Sequence, residues 1–201
     1  MSLITRIHTF FLLFWLRLHG AEIGRNVRIE GPFDLLLRDG ACAKNLKVGD
    51  NVVFGGKTYI RIRKNGKLFI RDNVKIGNEV WLVTANDAEF VIGENAILSH
   101  YSIFNGGHGI SIGRYCIFGA FVYINSSEHG FRKEKYIQDQ EYYGSPVIIG
   151  EDVWLGGHVI ITQGITIGKG AVIGGGAIVT KDIPEYKIAV GNPARVIKDR
   201  E

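Results

Sequence analysis

The sequence predicts an all-β chain that forms a parallel β-helix of about seven triangular coils, and three observations support this. An aliphatic residue recurs at every sixth position between residues 147 and 180: Ile149, Leu155, Ile161, Ile167, Ile173 and Val179. A period of six fits neither an α-helix nor a plain alternating strand. The residues that follow these aliphatics read Gly, Gly, Thr twice over, so three hexapeptides make one coil. The 27 glycines are about twice the usual share, as a chain with many tight turns requires.

Composition sets the broad class of the protein. The chain has 201 residues, of which 22% are charged and 46% hydrophobic, within reach of one globular domain. The net charge of +4 is mild and no Lys/Arg run is present, so a nucleic-acid partner is not expected. Cys42 and Cys116 lie far apart and no metal-ligand spacing occurs. We therefore expect packed free thiols in a reducing compartment and no bound metal.

Residues 1–20 precede the repeats and contain an apolar run, IHTFFLLFWLRL, from Ile7 to Leu18. This run is too short to span a bilayer and lacks the cleavage region of a secretory signal. Two interpretations stay open, and both can hold. A helix here would cap the open end of the β-helix. It would alternatively lie in a membrane interface through residues 1–19, with lipid contacts from Phe10, Phe11, Phe14, Trp15, Arg6 and Arg17.

Residues 21–184 carry the coils of the predicted β-helix. Pairs of an aliphatic residue and Gly give the coil starts: Ile23, Val48, Ile76, Ile92, Ile112, Ile149 and Ile167. The longer intervals fall after the third hexapeptide, so we expect insertions to share one corner, where function gathers in repeat proteins. Asn65-Gly66, between alternating residues of the segment 61–71, predicts a hairpin excursion. The repeat is expected to stop after Thr180, since Pro184 cannot join a ladder, which leaves residues 185–201 as a tail.

The largest break in the repeats is the loop of residues 125–146, which carries Glu128-His129-Gly130. An imidazole titrates near neutrality and can take a proton from a hydroxyl or amine. A loop histidine by itself is more often an ordinary surface residue. Glu128 could orient the ring or only be solvated. His100, His108 and His158 are weaker candidates.

The order of these features resembles the left-handed β-helix acetyltransferases. The His129 loop is followed by VIIGEDVWLGGHVII, GGGAIVTKDIPEY and AVGNPARVIK, as in the maltose/galactoside acetyltransferase branch, which includes polysaccharide O-acetyltransferases. The resemblance covers residues 70–198 well and the first coils loosely. It implies a left-handed coil, acetyl-CoA as co-substrate, and a homotrimer with active sites between neighbouring subunits. Hexapeptides alone specify the fold and not the reaction.

The resemblance also implies roles for individual residues. His129 matches the catalytic base, and Gly157 matches a residue whose backbone amide faces the acetyl thioester and stabilises the oxyanion. Trp154 matches a residue beside the site. The remaining expected acetyl-CoA contacts are Gly175 at the pantetheine arm and, near the adenosine phosphates, Thr180, Lys181, Arg195 and Lys198. Without the resemblance, Gly175 is a turn residue and the lysines are solvated charges.

The acceptor side departs from the family pattern. The family sets an Asn and an acidic residue against sugar hydroxyls, but the corresponding segment, residues 99–105, has no acidic residue. We therefore expect a different pose of the sugar. The candidate acceptor contacts are Tyr101, Asn105, Asn125 and Glu128. Tyr142 and Tyr143 could stack on a sugar ring or only pack.

These features together predict an acetyl-CoA-dependent O-acetyltransferase that modifies a sugar hydroxyl in surface polysaccharide biosynthesis. It would act in the cytoplasm, with the inner face of the membrane as an open alternative. Three other functions stay open: an N-acetyltransferase on a nucleotide-linked amino sugar, a xenobiotic acetyltransferase, and a β-helix that serves as an assembly module without catalysis.

Overall fold

The computed structural model describes residues 3–201, with side chains from residue 9 onward. Within this range the chain forms one α-helix, α1 (Leu3–Leu18), then 25 short strands and two 3₁₀ helices, Ala43–Asn45 and Ile137–Asp139. The predicted lipid contact of Arg6 lies outside the described side chains. A helix followed by stacked parallel rungs confirms the predicted fold class.

The strands are rungs of two to six residues separated by tight turns. The first four coils contain β1 (Glu22–Ile23), β2 (Arg28–Ile29), β3 (Phe33–Arg38), β4 (Leu46–Val48), β5 (Val53–Phe54), β6 (Thr58–Arg63), β7 (Lys67–Ile70), β8 (Lys75–Ile76), β9 (Val80–Thr84), β10 (Glu89–Ile92), β11 (Ile97–Leu98) and β12 (Ile103–Gly106). The remaining strands are β13 (Ile110–Ile112), β14 (Ile117–Phe118), β15 (Tyr123–Asn125), β16 (Glu128–His129), β17 (Tyr142–Tyr143), β18 (Val147–Ile149), β19 (Trp154–Leu155), β20 (Ile160–Ile161), β21 (Thr166–Ile167), β22 (Val172–Ile173), β23 (Ile178–Val179), β24 (Lys187–Val190) and β25 (Arg195–Asp199).

Three sheets form the faces of a three-sided prism with seven full coils. The first face is β1-β4-β7-β10-β13-β18-β21, and the second is β2-β5-β8-β11-β14-β19-β22-β24-β25. The third face is β3-β6-β9-β12-β15-β20-β23. Every neighbouring pair on these faces is parallel except β24 and β25. The seven predicted coils are therefore confirmed.

The repeating aliphatic residues line the interior of the prism, because strand side chains alternate between inside and outside. Ile149, Leu155 and Ile161, one from each face of the sixth coil, are at most 2% exposed. The smaller residues two positions before the repeating aliphatics are also buried: Val153, Val159, Ile165, Ala171 and Ala177. Together they fill a narrow interior without voids, as the repeat predicts.

The third coil begins one face earlier than the sequence predicts. Ile76 lies on the second face, in β8, and the first-face position belongs to Ile70, which pairs with Val48 and Ile92. The extra residues of these coils do not form an insertion at this point. They lengthen the third-face strands instead, since β6 has six residues and β9 has five.

The predicted hairpin at residues 61–71 is wrong. β6 and β7 lie on the third and first faces, and each pairs in parallel with the rungs above and below it. Asn65 and Gly66 form the corner between the two strands, and the Gly66 amide donates to the Arg63 carbonyl over 3.1 Å. A hairpin and a prism corner both need a tight turn, so the Asn-Gly signal does not separate them.

The long connections share one corner, as expected. The loop of residues 125–146 leaves the prism between β15 on the third face and β18 on the first. Residues 39–45, between β3 and β4, connect the same two faces. The projecting loop therefore stands at one edge of the prism, beside the fifth and sixth coils.

The prediction that the repeat stops at Thr180 is also wrong. Ile183 makes a parallel bridge to Ile167, so the first face continues past the seventh coil. β24 then extends the second face in parallel with β22, and β25 turns back antiparallel to β24. Residues 185–201 thus lie on the second face and close the C-terminal end of the prism.

α1 covers the N-terminal end of the prism. Leu13 and Leu16 pack against the first coil and are 8% and 1% exposed. The Thr9 hydroxyl donates to the Ile29 carbonyl over 2.8 Å. These are contacts that a capping helix would make. No helix in the described part of the chain is long and apolar enough to cross a membrane.

Candidate active site

The projecting loop is held as a short antiparallel hairpin. Its strands β16 and β17 pair Glu128 with Tyr143 and His129 with Tyr142. The imidazole packs on the Tyr142 ring, with 4.0 Å between the ring centroids, and His129 is exposed. The hairpin therefore presents the predicted base to solvent outside the prism, where it can meet a substrate hydroxyl.

Glu128 does not orient the imidazole. Neighbouring residues of a strand point to opposite sides, and the Tyr143 hydroxyl donates to Glu128 Oε2 over 3.1 Å. Partial burial, and then this hydrogen bond, raise the pKa of Tyr143 above its ordinary value. Glu128 thus ties the two strands of the hairpin together. This contact is neither orientation of the ring nor simple solvation, and Glu128 stays a predicted acceptor contact.

A chain of polar groups supports the base of the hairpin. Asn105 Nδ2 donates to Asn125 Oδ1 over 2.9 Å, and Asn125 Nδ2 donates to the Ser127 carbonyl. His108 Nδ1 lies 2.8 Å from Ser127 Oγ. Two of the predicted acceptor contacts, Asn105 and Asn125, are therefore adjacent at the foot of the His129 loop. Sequence reasoning misses the role of His108 and Ser127, because only the stacking of coils brings them together.

An open cavity of about 750 Å³ lies beside the imidazole. Its lining residues are His129, Lys135, Tyr136, Ile137 and Gln138. The tip of the loop that forms its wall is braced by Gln140, whose amide donates to the carbonyls of Arg132 and Lys135. The cavity combines a base, a cation and a phenol at one opening, which suits a polar acceptor with hydroxyl groups.

A second cluster lies at the corner between the second and third faces, where Gly157 and Gly175 occupy successive coils. A Cβ on Gly175 would stand 3.2 Å from the Gly157 carbonyl oxygen, so the corner is closely packed. That carbonyl accepts from the Gly176 amide over 2.9 Å. Within residues 3–201, the Gly157 amide itself makes no backbone hydrogen bond. An amide without a backbone partner can donate to a developing oxyanion.

Trp154 belongs to this second cluster. It projects outward from β19 on the second face, is 54% exposed, and lies three residues before Gly157. Its rung neighbours Ile117 and Val172 continue an apolar surface along that face. The structure therefore brings Trp154, Gly157 and Gly175 to one edge of the prism.

The predicted phosphate contacts lie at the C-terminal end of the prism. Thr180 and Lys181 follow β23, whereas Arg195 and Lys198 lie on β25, and all four are exposed. The three cations among them are Lys181, Arg195 and Lys198, and none forms a salt bridge within the described part of the chain. Cations that are free of carboxylates suit phosphate groups. β25 shares the second face with Trp154, so a continuous surface joins the two.

In one chain, the two clusters stand apart. His129 and the asparagine pair lie at the corner between the third and first faces, and Gly157 lies at the other end of the third face. About six residues separate Gly157 from the far corner, and at about 3.3 Å each this is roughly 20 Å. A single chain therefore does not bring the predicted base to the predicted oxyanion donor.

Tyr101 lies away from the other predicted acceptor contacts. It occupies the corner of Gly157 and stacks on Phe121 with 5.1 Å between ring centroids. Phe121 in turn lies 4.6 Å from the His158 ring. All three residues have positive φ, a conformation usually taken by Gly or Asn. Sequence reasoning misses this column because aromatic residues are not expected at such corners.

The cysteines and the candidate metal ligands bear on which type of catalysis the site could perform. Cys42 and Cys116 are both free, but only Cys116 is packed in the interior; Cys42 is exposed beside the turn before β4, so the expectation of a packed thiol is wrong for Cys42. Burial raises the pKa of the Cys116 thiol to about 11, so this group is a poor nucleophile near neutral pH. Among the described residues, no three His, Cys, Asp or Glu side chains are arranged to hold a metal ion.

Known proteins share both the repeat and the fold. Residues 146–181 match a family model described as the hexapeptide repeat of succinyl-transferase. The chain is 35% identical to galactoside O-acetyltransferase of Escherichia coli K12 over 132 residues, which are 63% of this chain and 54% of that protein. The fold resembles the crystal structure of a maltose O-acetyltransferase from Clostridium difficile 630, with a TM-score of 0.53. The two sequences are 31% identical, and the match covers 92% of this chain and 73% of that one.

A more distant structure shares the fold alone. An N-acyltransferase from Bacillus cereus, solved in complex with dTDP and coenzyme A, is 20% identical and has a TM-score of 0.58 over 94% of this chain and 88% of that one. The chain spans about half the length of the curated relatives that it matches. The similarity to the maltose enzyme extends over most of both chains. The chain therefore belongs to the hexapeptide-repeat sugar acetyltransferases, the family of the maltose and galactoside enzymes.

Proposed function

We propose that the protein transfers an acetyl group from acetyl-CoA to a sugar hydroxyl. The observation that supports this most strongly is the exposed His129 imidazole beside an open cavity, on a loop whose foot carries the Asn105–Asn125 pair. Amide groups of asparagine can both donate to and accept from sugar hydroxyls. The unused Gly157 amide, at the other corner of the third face, supplies the donor that acyl transfer needs.

The active protein is proposed to be a homotrimer. The base and the oxyanion donor lie at different corners, so a neighbouring copy must supply one of them. An exposed apolar strip along the corner of Gly157 supports such a contact. Its members are about half exposed in the isolated chain: Tyr101, Ile117, Phe121 and Trp154.

The reaction then proceeds by direct transfer. His129 removes the proton from the acceptor hydroxyl as its oxygen attacks the thioester carbonyl carbon. The negative charge moves to the carbonyl oxygen, where the Gly157 amide of the neighbouring copy stabilises it. The C–S bond breaks as the carbonyl re-forms, and the proton held by His129 passes to the departing thiolate. The products are the acetyl ester and CoA.

The first experiment replaces His129. General-base catalysis typically contributes about 10²- to 10⁴-fold, so His129→Ala should lose turnover by that factor and still bind CoA in calorimetry. The exposed His19 provides the matched control, and His19→Ala should retain full activity on a soluble acceptor. Retention of activity in His129→Ala would remove the proposed base.

The shared site can be tested by complementation. Gly175→Phe fills the corner of Gly157, so this variant and His129→Ala should each be inactive. Heterotrimers formed by co-expression contain some sites with an intact base from one copy and an intact corner from its neighbour. Partial recovery of activity is expected, and a mixture as inactive as its parts would place both halves of the site on one chain.

The acceptor is proposed to be a precursor of a surface polysaccharide, and the protein to act in the cytoplasm. The second candidate is N-acetylation of a nucleotide-linked amino sugar. Mass spectrometry of the products from an amino sugar and from its hydroxyl analogue distinguishes the two, because acetyl-CoA serves both reactions. Contact of residues 1–19 with a membrane is independent of this reaction, and it depends on the outer face of α1.

A further inference from the structure

The outer face of α1 is an exposed apolar surface that extends over consecutive helical turns. Five large side chains on it are between 47% and 71% exposed: Phe10, Phe11, Phe14, Trp15 and Leu18. We call these five residues the outer stripe. The opposite side of the helix, with Leu13 and Leu16, is packed against the first coil. The exposed His19 ring packs on Trp15 at the end of the stripe, with 4.1 Å between ring centroids, and the four other side chains remain open to solvent.

The outer stripe contains packed aromatic rings with an apolar cleft beside them. Phe10 and Phe14 stack with 6.5 Å between ring centroids, and Phe10 meets Phe11 edge-on at 5.7 Å. Beside them lies an open cleft of about 450 Å³. Its lining is entirely apolar: Phe11, Leu12, Phe14, Trp15 and Leu18. Transfer of such surface out of water is favourable by roughly 25 cal/mol per Å².

Cations without acidic partners flank the stripe. The Arg17 guanidinium donates only to the carbonyls of Ile23 and Gly24, and Lys44 lies next to Gly20 just past the helix. Neither forms a salt bridge with a described residue. Residues 9–18 contain no Asp or Glu. Positive charge beside an apolar helix face complements the anionic phosphates above a lipid core.

We propose that the outer stripe docks the protein on an anionic phospholipid bilayer, with α1 lying in the plane of the interface. A helix of 16 residues is about 24 Å long, which is shorter than the hydrocarbon core, so the helix lies on the membrane and does not cross it. Trp15 is suited to the headgroup level, while the phenylalanines enter the acyl boundary. Together with the proposed function, this surface holds the acceptor cavity near saccharides that are attached to lipid.

The test is flotation of the full-length protein with vesicles, measured without acetyl-CoA or acceptor. Wild type should float with phosphatidylcholine vesicles that contain phosphatidylglycerol, and much less with phosphatidylcholine alone. The double variant Phe10→Gln/Phe14→Gln should lose partitioning by on the order of 100-fold, from the burial of two aromatic side chains. Lys44→Gln should lose about fivefold on anionic vesicles.

The controls separate docking from folding and from catalysis. Phe131 on the projecting loop is 70% exposed, so Phe131→Gln is a matched substitution and should float as wild type. His129→Ala should also float, so a failed reaction and failed docking remain distinguishable. The double variant should keep its melting temperature because the stripe is exposed.

Four outcomes would overturn the proposal. Wild type could fail to float with either vesicle, or the double variant could float as wild type does. The double variant could also lower the mass of the assembly in light scattering, which would make the stripe a contact between copies of the chain. Equal flotation on both vesicle types would contradict the anionic surface.

Discussion

The two ends of the prism are closed in different ways. At the N-terminal end, α1 buries Leu13 and Leu16 and leaves five large apolar side chains outside. At the C-terminal end, the hairpin of β24 and β25 buries Ala189, and all five residues of β25 are exposed. The exposed C-terminal surface is mixed: Arg195 and Lys198 flank exposed Val196 and Ile197 on β25.

The comparison shows how little apolar surface a closure needs. The C-terminal end covers the last coil with one large buried residue, Ile183, and two small ones, Ala189 and Ala194. By this standard Leu13 and Leu16 suffice at the other end, and the outer stripe of α1 exceeds what closure requires. We infer that the N-terminal end is built for an apolar surface outside the protein, and the C-terminal end for a charged ligand.

The largest expected effect tests which side chains of α1 close the prism. Leu16 is 1% exposed and Leu18 is 71% exposed. Leu16→Ala should lower the free energy of unfolding by about 2–5 kcal/mol through lost burial and a cavity. Leu18→Ala, the matched control, should stay within about 0.5 kcal/mol of wild type. Urea unfolding measures the free energy of unfolding of both variants. Equal losses would mean that the buried side of α1 stabilises the prism no more than its outer side does.

An intermediate effect tests the charged end. Arg195→Ala/Lys198→Ala should raise KM for acetyl-CoA between about twofold and thirtyfold, since each exposed ion pair contributes about 0.2–1 kcal/mol. Lys67→Ala, on the first face and paired with Glu89, should leave KM unchanged. With the dephosphorylated cofactor, 3′-dephospho-acetyl-CoA, the difference between variant and wild type should shrink. An unchanged KM for acetyl-CoA in the double variant would remove the phosphate role of this end.

The smallest effect concerns the pH dependence of the first coil. Asp50 Oδ1 accepts from the Arg25 amide over 2.7 Å, and its Oδ2 lies 2.6 Å from the Arg25 guanidinium. The amide hydrogen bond first, and the side-chain one next, lower the pKa of Asp50. A lowered pKa stabilises the fold above the ordinary carboxyl value near 4, and this contribution is lost as pH falls through the lowered pKa.

The matched variant for this pair is Asp50→Asn, which keeps the shape of the side chain and removes its titration. The gap in unfolding midpoint between wild type and Asp50→Asn should be present at pH 7 and shrink below about pH 4. If the difference in unfolding midpoint stays constant with pH, ionisation of Asp50 beside Arg25 does not contribute to the stability of this end.

The sequence was sufficient for the core of the prism because burial dictates its repeat. Ile149, Leu155 and Ile161 recur at the period that the fold demands, and they lie inside. The register of the earlier coils could not be found in this way. Val48-Gly49 lies on the first face and Ile76-Gly77 on the second, so an aliphatic residue before Gly does not identify a face.

The site was predictable only in part. The projection of His129 follows from a break in the repeats, which the sequence displays. The partner of Glu128 depends on the pairing of β16 with β17 across a loop of twelve residues, and no local pattern fixes that register. The adjacency of Asn105 and Asn125 arises from stacking of successive coils, which becomes visible once the coil length is known.

The direction of β25 has a consequence for self-association. A stack of parallel rungs ends in unpaired backbone groups that could template a further rung from another molecule. Here the last strand of the second face runs antiparallel to the rungs beneath it. A rung added by another molecule at that edge would therefore pair with a strand of opposite direction, so the uniform parallel ladder ends at β24 on the face where it is longest.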